Sequence, residues 1–210
     1  TMEQVAKALE ICRPHGVRLE VALNNRYTDL QLDDALASVE ELYALGVRDF
    51  IVADPGMLAA VANAHPDASL HVSIMGGTAN HHTAKMYRGF GVKRVILENN
   101  LTADQMARIR RESGVEVEVF IYGIPCFAFH GSCYLSSFRG SMWPPACARK
   151  VTVDTPAGKD TNYYVKPRDL DLLPRLPDLV AAGVDSVQIE GRIRSTHYVR
   201  TATIAVRHIL

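Results

Sequence analysis

The stretch "GVRDFIVAD", Gly46 to Asp54, decides the fold. It follows a helical pattern and sets a glycine, a valine and a short apolar run in succession, closing on an acidic residue. Glycine halts a helix by taking the left-handed backbone that other residues resist, and a β-branched residue opens an extended segment. The same Gly-Val dipeptide recurs at 16–17, 91–92, 114–115 and 183–184. The runs that follow the dipeptides read "VRLEVAL", "VRDFIVA", "VKRVILE", "VEVEVFIY" and "VDSVQIE". A sixth run, "LHVSIM" (70–75), comes after the Pro66–Asp67 breaker without that signal.

Helices fill the gaps between the runs. In "LQLDDALASVEELYALG" the residues Leu32, Ala35, Leu36, Val39, Leu42 and Tyr43 fall on one face. "LTADQMARIRRESG" starts with Thr102 as N-cap and Gln105 three positions on as its capping-box partner. Repeated helix–glycine–strand units indicate an α/β protein with parallel strands. With six such strands and no Gly-x-Gly-x-x-Gly loop after any of them, the expectation is a parallel (β/α) barrel-like domain rather than a doubly wound sheet. The barrel is expected to be incomplete or open: the chain begins in a helix, the expectation for a barrel that is clipped at the N-terminus, open, or completed by another chain. One domain spans 1–210, with an insertion at about 123–168 where the pattern breaks. The insertion carries three of the four cysteines and a hairpin, "RKVTVDTPAGKDTNYYVK", turning near Pro156–Gly158.

At 210 residues, 48% apolar and 22% charged, the chain has the composition of an ordinary globular domain. Acidic and basic residues balance at 23 each, so no global field draws it to nucleic acid or an anionic membrane. A basic groove for RNA would have to be local, built from "RIRR" (108–111), "ARK" (148–150) and "GRIRS" (191–195). The balance favours a small aromatic or quinone-like substrate by a small margin. No apolar run reaches the roughly 18–20 residues of a membrane span. The opening "TMEQVAKALEICRPHG" is a helical pattern and not a signal peptide, which makes a reducing cytoplasm the expected location.

In barrels the chemistry gathers where strands end at their C-terminal edge. Those ends carry Asn24, Asn25, Asp54, Met75–Gly77, Glu98–Asn99, Tyr122–Gly123 and Glu190–Gly191–Arg192. Asn24 either hydrogen-bonds substrate or caps the turn after it. Arg192 suits capture of a substrate carboxylate, with Glu190 orienting it or handling a proton; the competing reading is a structural ion pair. His71, inside its strand, reads as a satisfied core histidine, and His81–His82 as a solvated helix start. The insertion leaves from the same edge, so "CFAFHGSCYLSSF" (126–138) and Cys147 are expected above the mouth. Residue types alone leave four readings for the cysteines: packing, zinc ligation, a nucleophile paired with His130, or iron–sulfur ligation. Cys12, in the opening helix, reads as packing. Tyr134 and Phe138 either stack on an aromatic substrate or pack the loop.

"VEVFIYGIPCFAFHGSCYLSSFRG" and "LLPRLPDLVAAGVDSVQIEGRIRSTHYV" resemble the U32 peptidase family, historically called collagenase-like. "RLEVALNN", "GVRDFIVADPGML" and "LHVSIMGGTAN" extend the resemblance over nearly the whole chain. The resemblance implies a barrel-like α/β fold and, in the better-understood members, a 4Fe-4S cluster held by four cysteines. Those members hydroxylate without dioxygen a ubiquinone precursor, a transfer-RNA uridine or a ribosomal-RNA cytidine, and prephenate is the implied oxygen donor in some RNA-directed members. The wording "CYLSS…IEGR" is closest to the quinone branch, which works as a pair of related subunits. Carried over by position, Cys126 and Cys133 match the first two ligands and Cys147 a third. Where many members have a last cysteine this chain reads "RDLD", which puts Asp171 there as one candidate for the fourth ligand, beside Cys12, His130, an exogenous ligand or a cysteine outside this sequence.

Three functions compete. The first is an iron–sulfur-dependent, oxygen-independent hydroxylase of a small aromatic or quinone precursor or of an RNA base. The second is a collagenase-like peptidase, against which stand the missing His-Glu-x-x-His and Gly-x-Ser-x-Gly motifs and the lack of an evident base for Ser136 and Ser137. The third is a non-catalytic iron–sulfur subunit that needs a related chain, as a homo- or heterodimer.

Overall fold

The computed structural model describes residues 1–126, 133, 147, 149–165, 168–192 and 194–210. His130, Tyr134, Ser136, Ser137 and Phe138 lie outside the described residues.

Six parallel strands form the body, in the order β1 (Glu20–Leu23), β2 (Asp49–Val52), β3 (Ser69–Val72), β4 (Arg94–Ile96), β5 (Glu116–Gly123) and β9 (Ser186–Ile189). Each strand pairs with its predecessor in this order, and nowhere does the order reverse, which is the winding of a barrel. The sheet curves into an open half-barrel with helices on its outer face. Helices α1 (Met2–Cys12), α2 (Asp29–Leu45), α3 (Pro55–Ala64), α4 (His81–Gly89) and α5 (Ala103–Ser113) precede strands, followed by a short helix Leu176–Ala181 and a C-terminal helix Thr196–Ile209. Among the described residues no helix is long and apolar enough to cross a membrane.

Local signals set these elements. All five glycines of the Gly-Val dipeptides have positive φ, and Gly46, at 102°, donates its N–H to the last turn of α2. Thr102 and Gln105 form the reciprocal capping box, and Thr1–Gln4 and Thr28–Gln31 repeat it. Val39 and Leu42 of α2 are buried, with Leu32, Ala35, Leu36 and Tyr43 packed against the same core.

Strand alternation divides the body into two layers. Phe50, Val52, Leu70, Val72, Val95, Leu97, Val117, Val119 and Ile121 face outward and join Met57, Leu58, Val61, Tyr87, Met106 and Ile109 of the helices in the main core. Ile51, Ile96 and Phe120 alternate with them and form a separate inner cluster with Ile74 and Met75.

The strands are shorter than the apolar runs that announce them. "LHVSIM" gives a strand only to Val72; Ile74–Gly76 is a single 3₁₀ turn, whose cap is Ser73 accepting from Met75 N. The hairpin forms as expected, β6 (Val151–Thr155) against β7 (Gly158–Asn162), Thr155 opposite Gly158, as a separate two-stranded sheet. One strand was not legible: β8 (Leu170–Asp171), antiparallel to the end of β5.

Candidate functional site

The long strand β5 organises the mouth. Tyr122 is paired on one side with Ile189 of β9 and on the other with Asp171 of β8. Successive carbonyls of a strand point to opposite sides, and here Ile121 O accepts from Leu172 N at 2.8 Å while Tyr122 O accepts from Glu190 N at 2.8 Å. Asp171 and Glu190 therefore flank the point from which the chain runs on, through Gly123, to Cys126. The close fit depends on glycine. A Cβ at Gly123, whose φ is 115°, would stand 2.6 Å from Glu190 O and 2.8 Å from Glu190 Cβ.

Of the residues singled out from sequence, Asp171, Glu190 and Arg192 thus share one end of the sheet with the root of the cysteine segment. Asp171 is exposed, and its Oδ1 accepts from Leu173 N at 3.0 Å. Glu190 Oε1 accepts the backbone N–H of Arg192 at 3.1 Å, so the carboxylate shapes the turn that presents the exposed guanidinium. Cys126 is exposed; Cys133 and Cys147 are partly buried. Asn24 stands apart, at the end of the opposite edge strand, with β2 to β5 between it and β9. Its Oδ1 is buried and has no hydrogen-bond partner, nor has the Oε1 of Gln188 in β9 or the Oγ1 of Thr78. A buried acceptor without a donor costs about 1–3 kcal/mol.

Other mouth residues have structural work. Asp54 caps α3 through Met57 N at 2.9 Å and accepts Tyr27 N at 3.4 Å. Arg26 reaches across to Met75 O at 3.2 Å, and Tyr87 OH donates to Gly76 O at 2.9 Å.

Beside Glu190 lies a stack that sequence reasoning passed over. Tyr122 and Tyr198 stack with ring centroids 5.7 Å apart, Arg194 lies 5.0 Å over the Tyr198 ring, and Arg194 Nη2 pairs with Asp169 at 2.8 Å. Burial pushes the Tyr198 phenol above its ordinary pKa, against the pull of Arg194, and its hydroxyl is buried without a partner. Among the described residues the ion pair at this end of the sheet is Arg194–Asp169, and the contact from Arg192 to Glu190 runs through the backbone.

The opposite, N-terminal end of the barrel is unexpectedly charged. Arg94 pairs with Glu116 at 2.9 Å, Glu118 at 3.2 Å and Glu20 at 3.5 Å. His71 is buried in the core, 1% exposed, yet not fully satisfied as read: Nε2 lies 3.1 Å from Ser69 Oγ, while Nδ1, 3.4 Å from Glu20 Oε2, makes no hydrogen bond. Arg18 holds Asp49 Oδ1 at 3.2 Å. Burial raises the Glu118 pKa above the usual carboxylate value. The signal was available: these charges sit at alternate positions in the first half of successive runs, "VRLE", "VRD", "VKR" and "VEVE".

Comparison with known proteins adds a lineage to this geometry. The model of peptidase family U32 matches residues 1–210. A tRNA hydroxylation protein P1 of Bacillus subtilis (strain 168) is 26% identical over all of this chain and 53% of its own length. The 23S rRNA 5-hydroxycytidine C2501 synthase of Escherichia coli (strain K12) is 29% identical over all of this chain and 33% of its own length. The chain thus spans about half or less of these curated relatives. Among solved structures, the U32 peptidase Mk0906 superposes with a TM-score of 0.57 at 14% identity, over 90% of this chain and 75% of that one, a likeness of fold.

Proposed function

Because the chain belongs to peptidase family U32, we propose that it is the barrel domain of an enzyme that hydroxylates a base in RNA at an iron–sulfur centre. The observation that carries the reading is the pairing at Tyr122, which sets Asp171 and Glu190 on either side of the strand leading to Cys126. RNA is preferred to a quinone precursor because the two curated relatives above are RNA hydroxylation proteins by name.

The donor set suits such a cluster: Cys126 is exposed and Cys133 and Cys147 only partly buried, so none is committed to the core. Cys126, Cys133 and Cys147 are assigned as thiolate ligands of a 4Fe-4S cluster, with Asp171 as the oxygen ligand of the fourth position. When bound, the group supplies one-electron chemistry and, at an iron without thiolate, a Lewis acid. Arg192 captures an anionic group of substrate or oxygen donor, Glu190 fixes the turn that presents it, and Asn24 offers a buried acceptor on the far side of the mouth.

Mass spectrometry of nucleosides from tRNA and rRNA tests the reading. Deleting the gene should remove a pyrimidine nucleoside one oxygen heavier than its parent, restored by the wild-type gene and not by Cys126→Ala. Unchanged RNA with an altered quinone pool would transfer the reading to the small substrate. Adding prephenate to the assay tests it as oxygen donor, and light scattering with co-purification tests for a related subunit.

Peptide hydrolysis has one geometric argument, the chain Ser69–His71–Glu20 with its 3.1 Å and 3.4 Å contacts. Ser69 is 8% and His71 1% exposed, which denies a peptide access to the hydroxyl.

A further inference from the structure

We propose that Glu20, Asp49 and His71 form a divalent-cation site on the floor of the half-barrel, clamping the edge strand β1 to β2 and β3. Each of the three offers one ligand atom, and these atoms lie within 4.8 Å of one another. Ligands sharing an ion at about 2.1 Å stand roughly 3.0–3.4 Å apart in octahedral or tetrahedral geometry. Glu20 Oε2 and His71 Nδ1, at 3.4 Å, already have that spacing.

The independent sign is His71 itself. It is 1% exposed, its Nδ1 has no hydrogen-bond partner, and that atom points at Glu20. Nε2 is held by Ser69 Oγ. In the tautomer with Nε2–H donating to Ser69, Nδ1 presents a lone pair towards the Glu20 carboxylate, the ring state that a cation between them would select over the one in which Nδ1–H faces Glu20. The outer contacts suit this placement. Arg94 approaches Glu20 through Oε1 and Arg18 approaches Asp49 through Oδ1, so the guanidiniums engage one oxygen of each carboxylate and Glu20 turns its other oxygen to His71.

Charge points the same way. The floor collects Glu20, Asp49, Glu116 and Glu118 against Arg18 and Arg94. Leaving Glu118 out of the count, the other three carboxylates still outnumber the two guanidiniums. One imidazole and two carboxylates suit manganese, zinc or ferrous iron, whereas the cysteine thiolates assigned above would select softer metals and clusters.

Manganese separates the two ends. Titrating the full chain with Mn²⁺, read as loss of the free-ion electron paramagnetic signal, should give one saturable site. Affinity should fall tenfold or more in Glu20→Gln and in His71→Gln, and stay unchanged in Cys126→Ala, Cys133→Ala and Cys147→Ala. Mn²⁺ should also broaden the His71 ring resonances of the wild-type protein selectively, a readout that does not depend on whether a variant folds. Absence of saturable binding, equal affinity in folded Glu20→Gln and His71→Gln, or broadening that spares His71 would overturn the proposal.

Discussion

Gly123→Ala is the substitution on which the described geometry makes its sharpest demand. The residue sits at φ 115°, and a methyl group there meets Glu190 O at 2.6 Å and Glu190 Cβ at 2.8 Å. Holding an L-residue in such a conformation costs about 1–2 kcal/mol. Forcing a methyl against backbone, which cannot swing aside as a side chain can, adds about 1–3 kcal/mol. The loss is therefore roughly 2–5 kcal/mol, a large share of the 5–15 kcal/mol typical of a domain. With a urea slope of about 2 kcal/mol per molar, a loss of roughly 3 kcal/mol lowers the unfolding midpoint by about 1.5 M. The matched control is Gly89→Ala at the end of α4, where a Cβ meets nothing within 4 Å and no positive φ is required. There alanine should be neutral or stabilise by up to about 1 kcal/mol. The clash also moves the Glu190 turn, so Gly123→Ala should lose iron or hydroxylation activity at urea concentrations where it is still folded. Midpoints for the two alanine variants that agree within error would refute the packing argument at the β5–β9 junction.

Arg94→Met should cost about 3–5 kcal/mol, because it strands Glu20 and Glu118 beside a buried aliphatic chain; urea unfolding that shows less than about 1 kcal/mol would mean the floor is hydrated. Tyr43→Phe removes the hydroxyl that donates to Asp67 at 2.7 and 2.8 Å while keeping the ring under Arg48. That donation, opposed by desolvation and aided by Arg48, holds the Asp67 carboxyl below its ordinary value, so its stabilisation is present above about pH 4 and is lost as pH falls through the lowered pKa. The gap between wild type and Tyr43→Phe should thus narrow as the pH is taken from 7 down through the carboxylate range; a constant gap would assign it to packing. Under anaerobic purification, Cys126→Ala, Cys133→Ala and Cys147→Ala should each lose iron and sulfide and the visible absorption, while Cys12→Ala in α1 keeps all of them. Equal loss in a Cys12→Ala variant that keeps the wild-type unfolding midpoint would make Cys12 a ligand, and loss together with a lowered midpoint would assign the effect to folding.

The helix stops and strand starts were legible because they are local. A glycine accepting positive φ, a Thr-x-x-Gln box and a period-two apolar run each act within a few residues, and the five Gly-Val sites and the Thr102 cap stand where they were read. The singly wound order followed from six strand runs with no phosphate loop after any of them. Strand lengths did not follow, since "VRLEVAL" pairs only over Glu20–Leu23 and "LHVSIM" breaks into a 3₁₀ turn at Ile74. At the candidate site, Glu190 and Asp171 were found as individual residues, whereas Arg194, Asp169 and Tyr198 were missed because their significance lies in one another.

From the sequence alone came the α/β class, the open barrel, the hairpin, the cysteine-bearing insertion and the resemblance to U32 proteins, all carried by short-range patterns and contiguous motifs. The tertiary structure alone decided that Asp171 pairs with Tyr122, that Glu190 abuts Gly123, and that Glu20, Asp49, His71 and Arg94 converge from four strands on one floor. The physical reason is separation along the chain. A turn or cap is fixed by dihedral preferences of neighbouring residues, but charges dozens of residues apart meet only when sheet register and strand twist bring their alternate faces to the same side.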